Sequence, residues 1–237
     1  GVAHYVVDEA EAFERQVIDY FTAEYRAGRT PNPCVMCNTH IKWNALLKKA
    51  DALDCEFIAT GHYVNVREEN GRYVLSKGLD ETKDQSYVLW GLQQDLLSRT
   101  LLPLGPYKKT QVRQMALEYG YPELAQKNES YEICFVPDND YRAFLKHRVP
   151  GLGEELSGGD FVSSDGKVLG KHKGYPFYTI GQRKGLEGAF GEPMYVTRIE
   201  PQSNRVVLGR FEELEKREMM VRDVNLIKYE TLPNDME

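Results

Sequence analysis

The chain has 237 residues, 41% of them hydrophobic and 28% charged, with a formal net charge of −6. A chain of that length can hold two cores, and it carries no apolar run of about 18 residues, which excludes a membrane-spanning helix. The acidic balance speaks against nonspecific nucleic-acid binding, although a local basic patch can still steer a polyanion. The four cysteines, Cys34, Cys37, Cys55 and Cys134, are too few for a disulfide scaffold, and no secretory leader is visible. A reducing, cytoplasmic setting is therefore the expectation. Position 1 is Gly and the sequence opens inside an apolar run, so a chain shortened at both ends is expected as well.

In chain order, Val2 to Val7 reads as a short buried strand. Asp8 with Glu11 gives a capping signal, after which Phe13, Val17, Ile18, Phe21 and Tyr25 recur at helical spacing until Gly28. Thr30 to Pro33 should be a stiff extended turn, because proline fixes its own φ and restricts the residue before it. A helix follows from Asn38, marked by Ile41, Ala45, Leu46 and Ala50. Cys34 and Cys37 then lie close to a helix N-terminus, where the peptide dipole favours thiolate. A Cys-x-x-Cys pair suits a redox couple, half a metal site or a sulfur carrier.

Cys55 to Thr60 predicts a second strand, with Cys55 in the core, and ends in Gly61-His62. Strand, helix and strand make a βαβ pattern, whose ligands bind at the carboxyl ends of the strands. His62 is either a packed histidine or a site residue. Asn70-Gly71 between two alternating runs predicts a hairpin. Lys83-Asp84-Gln85 precedes an expected helix through Tyr87, Leu89 and Trp90. Leu101 to Gly105 is an apolar loop, and Lys108 and Lys109 lead into a helix ended by Gly120. Cys134 falls in an expected strand, Ser130 to Val136, with Asp138 and Asp140 before the next helix.

From about Pro150 short strands recur between Gly-rich turns: Phe161-Val162, Lys167 to Leu169, Tyr178 to Ile180, Met194 to Ile199 and Arg205 to Leu208. They predict a small antiparallel β domain. Lys171-His172-Lys173 and the loop Gly181-Gln182-Arg183-Lys184-Gly185 place two basic clusters on it, suited to phosphate contact or to solubility. Ser157-Gly158-Gly159-Asp160 looks like part of a pyrophosphate loop. It opens a hairpin rather than a helix, so it is rejected as a phosphate site. Met219 to Tyr229 reads as a strand beginning a further unit.

Several of these segments together resemble the tRNA-specific 2-thiouridylases: Gly28-Arg29-Thr30-Pro31-Asn32-Pro33 with Cys37-Asn38 and Ile41-Lys42, Ala59-Thr60-Gly61-His62-Tyr63, Lys83-Asp84-Gln85-Ser86-Tyr87, Ile133-Cys134-Phe135, and Thr179 to Leu186. The resemblance spans nearly the whole chain in the family's order. It implies an α/β fold: a partial adenine-nucleotide α-hydrolase-like parallel-sheet domain over residues 1–148, a small antiparallel β domain over 149–214, and the start of a C-terminal β-barrel over 215–237. It implies ATP with Mg2+, and transfer of sulfur to C2 of a wobble uridine. Cys134 would carry the persulfide, and Cys37 would attack the sulfur linkage to leave a Cys37–Cys134 disulfide, or else assist release of sulfide. Gly61 would line the nucleotide site. Asn32, Pro33 and Cys34 would meet the target base, and His62, Lys83, Asp84 and Gln85 would touch tRNA. A sulfur-donor protein is the implied partner, and no membrane. The family's Ser-Gly-Gly-x-Asp-Ser loop has no counterpart in this sequence.

Position 34 departs from the family pattern, in which Asp is common. Cys34, Cys37 and Cys134 make a three-thiolate set that could hold a [4Fe–4S] cluster with one open iron. Two other classes remain: a thiol–disulfide oxidoreductase on Cys34 and Cys37, and a zinc-stabilised RNA-binding module with His62 as fourth ligand.

Overall fold

The computed structural model describes residues 2–127, 133–188 and 190–232. Helix α1 covers residues 10–26, as α-helix Ala10–Phe13, a π-helical stretch Glu14–Ile18 and α-helix Asp19–Arg26. Helix α2 covers 33–51 in the same manner: Pro33–Met36, a π-helical stretch Cys37–Lys42, then Trp43–Asp51. The chain continues through β1 Ile58–Ala59, β2 Val64–Glu69, β3 Arg72–Lys77, α3 Gln94–Ser98, β4 Thr100–Leu101, α4 Lys109–Glu118 and α5 Pro122–Gln126. Then come α6 Tyr141–Arg148, α7 Leu152–Glu155, β5 Gly159–Ser163, β6 Val168–His172, β7 Tyr195–Glu200 and β8 Arg205–Gly209. Two compact units emerge. One holds Gly1–Val17, Cys34–Tyr131 and Arg222–Glu237; the other holds Ile18–Pro33 and Glu132–Val221.

In the first unit β1 and β4 pair in parallel, Ile58 opposite Thr100. Helix α2 turns Val35, Trp43, Leu47 and Ala50 into a core shared with Ile58, Val64, Leu89, Leu92 and Leu97. The β2–β3 hairpin runs in register from Val64–Lys77 to Glu69–Arg72. Its two turn residues, Asn70 (φ 54°) and Gly71 (φ 75°), have the positive φ pair of a type I′ turn, whose twist matches that of the strands. The segment from Arg222 returns to this unit as coil: the Asn225 amide donates to the carbonyls of Trp90 (2.7 Å) and Leu92 (2.9 Å).

The second unit is built on a four-stranded sheet of order β6-β5-β8-β7. Its outer pairs are antiparallel, but β5 and β8 run parallel, Phe161 opposite Val206. The expected antiparallel β domain is therefore a mixed sheet. Its core joins Phe161, Val196, Val206 and Leu208 to Phe21, Tyr25, Leu145 and Phe177.

Other expectations are corrected. Val2 to Val7 forms no strand, and Val2 and Val6 are 97% and 85% exposed. A strand needs a neighbour for its backbone groups, and none is present among the described residues. The strand expected from Cys55 shrinks to Ile58–Ala59, and Cys55 is exposed rather than core. Helix α2 ends with Asp54 in the left-handed region and the Cys55 N–H returned to the Ala50 carbonyl (2.9 Å), a C-terminal closure that consumes those residues. The helix expected through Trp90 is a single 3-10 turn, Ser86–Val88. Ile133 to Val136 is a turn, not a strand; positions 130–132 lie outside the described residues. Tyr178 to Ile180 and Met219 to Tyr229 are irregular, and Leu46 is exposed while Leu47 takes the core position.

Candidate active site

Helix α2 starts at Pro33, earlier than the sequence suggests. Proline suits the first helical position, where an N–H would lack an intrahelical partner. Cys34 thus sits in the first turn and is exposed, and Cys37 begins the second turn half-buried. Their i, i+3 spacing makes them neighbours on the helix surface, while Val35 and Asn38 face inward. The Asn38 amide reaches the Val88 carbonyl at 3.3 Å and ties this end of α2 to the 3-10 turn. None of the four cysteines is in a disulfide. Asn32 is exposed just ahead of the helix, and Pro33 is buried.

Gly61 and His62 follow β1 after Thr60, at the carboxyl end of a parallel strand. Gly61 is exposed, and a methyl group on it would meet only the Leu104 side chain, at 3.6 Å, so its backbone is open to approach. The His62 ring lies against Trp43 with centroids 5.5 Å apart, and its Nδ1 is 2.9 Å from the Thr60 hydroxyl. Trp43 in turn donates its indole N–H to the Thr100 hydroxyl at 2.8 Å. Burial, aided by the Lys42 cation, pushes the His62 imidazole down to about 4, so the ring is neutral near pH 7.

The Lys83-Asp84-Gln85 run is lashed to the same strand end. Gln85 accepts from the Tyr63 N–H (3.0 Å) and donates its own N–H to the Tyr63 carbonyl (3.2 Å). The Asp84 carboxylate accepts from the N–H of Gly78 (3.1 Å) and from the Ser86 hydroxyl (2.7 Å). The Asp84 and Gln85 side chains therefore hold the loop, while Lys83 is half-buried beside them. This network, and the Trp43 platform under His62, escape sequence reading. The available signal is the glycine at 78, where a side chain would press on the Tyr63 carbonyl at 2.7 Å.

Cys134 belongs to the second unit. Its neighbours Ile133, Phe135 and Val136 pack into that unit's core and the thiol stays exposed. Among the described residues no group of three or more His, Cys, Asp or Glu side chains is arranged to hold a metal ion. Ser157-Gly158-Gly159-Asp160 enters β5 without a helix after it, and Asp160 pairs with Lys171 at 2.7 Å.

A parallel strand end carrying Gly-His, beside a helix that starts with paired thiols, and a separate small β unit define a two-part α/β protein. The family model described as the tRNA methyl transferase HUP domain matches residues 1–138, and that of the tRNA methyl transferase PRC-barrel domain matches 142–210. The chain belongs to this family. It is 62% identical over 98% of its length to a tRNA-specific 2-thiouridylase MnmA of Cytophaga hutchinsonii, covering 63% of that protein. It is 60% identical over 98% of its length to that of Amoebophilus asiaticus, and 59% over 99% to that of Salinibacter ruber, covering 62% of each. The chain thus spans a little under two thirds of these relatives. No helix among the described residues is long and apolar enough to cross a membrane.

Proposed function

We propose that this chain is the larger part of a tRNA-uridine 2-sulfurtransferase, acting with ATP and Mg2+ on the wobble uridine of tRNA and receiving its sulfur from a donor protein. The observation that carries the reading is Cys134, presented to solvent by three inward-packing neighbours, in a chain that offers a second thiol, Cys37, near a helix start. The family description speaks of methyl transfer and the relatives' names of thiolation; two presented thiols suit sulfur chemistry.

ATP supplies activation, because adenylation of the uridine O2 makes a poor leaving group into a phosphate ester. Gly61, open at the end of β1, would sit by the nucleotide. The terminal sulfur of a Cys134 persulfide attacks C2, the C2–S bond forms and AMP departs with the oxygen. The Cys37 thiolate then attacks the Cys134 sulfur; the S–S bond to the substrate breaks, the electron pair stays on the C2 sulfur, and a Cys37–Cys134 disulfide remains for a cellular thiol to reduce. Asn32, Pro33 and Cys34 would meet the base, which must leave its stack to be reached. His62 and Lys83 would contact the tRNA, on a loop that Asp84 and Gln85 hold in shape.

The test is mass analysis of tRNA nucleosides after disruption of the gene in its host, with complementation by the intact gene and by its Cys37→Ser and Cys134→Ser forms. Loss of 2-thiouridine restored only by the intact gene is expected. Unchanged 2-thiouridine after disruption overturns the assignment, and restoration by Cys134→Ser removes the persulfide role.

A further inference from the structure

We propose that the second unit carries an RNA phosphodiester-binding groove along the face of α6, bordered by the Gly181–Gly185 loop, with Arg142 and Lys146 as its contact residues. A cavity of about 300 Å³ opens there, lined by Asp140, Arg142, Lys146, Lys173, Phe177 and Tyr178, with Glu187 at its edge. Each contact cation rests on an aromatic floor: the Arg142 guanidinium lies 5.7 Å from the Tyr178 ring centre, and the Lys146 ammonium 5.1 Å from that of Phe177. Both rings are buried, at 3% and 2% exposure, so the cations are supported from beneath by fixed surfaces.

The charges facing the cavity divide clearly. Asp140 caps α6, accepting from the N–H groups of Arg142 (3.1 Å) and Ala143 (3.0 Å). Glu187 is paired with Lys173 at 2.6 Å. Arg142 and Lys146 have no carboxylate partner among the described residues, and neither do Arg183 and Lys184 on the adjoining loop. In a chain with six excess negative charges, four unpaired cations on neighbouring elements of one unit mark a surface built for an anion.

The loop is held rather than loose. The Gln182 amide oxygen accepts from the Thr179 N–H (3.1 Å) and its nitrogen donates to the Lys184 carbonyl (2.9 Å). The Gly181 N–H donates to the Val196 carbonyl (2.8 Å) and the Val196 N–H to that of Gln182 (2.9 Å), which fixes the loop on β7. A methyl group on Gly185 would lie 4.0 Å from both terminal nitrogens of Arg142, so the loop backbone borders the groove. Because the aromatic faces are already covered by cations, bases have no open ring to stack on. What remains is backbone recognition, which positions an RNA without reading its sequence.

The inference rests on the sulfurtransferase reading only for the identity of the natural RNA. The intact chain and its Arg142→Gln/Lys146→Gln form are compared in binding to polyuridylate and to a tRNA transcript between about 50 and 200 mM salt. A Lys167→Gln/Lys216→Gln form matches the charge change elsewhere. The expected result on polyuridylate is a roughly tenfold weaker complex for the groove variant and a salt slope shallower by about 1.4, at some 0.7 per single-strand phosphate contact. Arg142→Lys should keep the slope. A groove-variant slope no different from that of the matched control, or no binding of polyuridylate by the intact chain, overturns the proposal. The slope change on polyuridylate without any binding of tRNA leaves the groove standing and counts against the tRNA reading instead.

Discussion

His62 shows how one side chain can be both a site candidate and a stability element. Its ring packs on Trp43 and is held largely away from water, so the folded state resists protonating it until about pH 4. The unfolded chain takes up that proton near 6.5. Below the unfolded value the unfolded state binds more protons, so stability is intact above about pH 6.5 and falls as the pH drops toward 4, levelling off beneath that. A separation of this size, discounted for the part of the ring still facing solvent, is worth on the order of 2 kcal/mol. Urea unfolding at pH 7 and pH 4.5 should show this loss in the intact chain, and His62→Gln should reduce it, leaving the share of His172, whose imidazole burial also pushes down. An unchanged pH dependence in His62→Gln would show that the imidazole is not held neutral by its packing.

At the scale of the element, two glycines separate conformational strain from steric collision. Gly71 in the β2–β3 turn has φ 75° and open space around it, so Gly71→Ala should cost only about 1 kcal/mol. A side chain on Gly105 would run into the Val64 carbonyl oxygen and the Asn65 amide oxygen at the start of β2, so Gly105→Ala should cost about 3 kcal/mol. Denaturant midpoints rank the two, and equal losses would mean that β2 moves away without penalty. The hairpin was legible in the sequence because Asn-Gly is a local signal, and so was helix α1, where Val17, Phe21 and Tyr25 are all buried. The start of α2 is hard to read because Pro33 looks like a breaker in the sequence but occupies the first helical turn. The strands around Val2 and Cys55 failed for a different reason: apolar runs predict burial only if a partner element supplies it. Among the site residues, Gly61 at a strand end and the Cys34–Cys37 spacing were readable. The internal hydrogen bonds of Asp84 and Gln85 were not, since they depend on where Tyr63 and Gly78 come to lie.

At the scale of the whole molecule, the core of the second unit is assembled from distant stretches of chain. Phe21 makes edge contacts with Phe135 and Phe144 at 5.2 and 5.9 Å, and Tyr25 stacks on Tyr141 at 4.7 Å. The Tyr175 hydroxyl donates to the Arg26 carbonyl at 2.6 Å, and Arg148 pairs with Asp19 at 2.8 Å. Local periodicity marks Phe21 and Tyr25 as core but does not say whose core. The consequence is testable, because a contiguous fragment of residues 132–221 contains the whole sheet and lacks these two rings. Losing a buried Phe side chain costs about 3–5 kcal/mol, against about 5–15 kcal/mol for the stability of a typical domain. With Tyr25 and the Arg26 carbonyl also missing, the fragment should lose a fixed aromatic core, giving weak near-ultraviolet dichroism and no cooperative melt. Joining residues 18–33 to it through a flexible linker should restore both signals, and Phe21→Ala in that joined form should weaken them again. A fragment of 132–221 that melts cooperatively on its own would show that the sheet carries the unit without the helix.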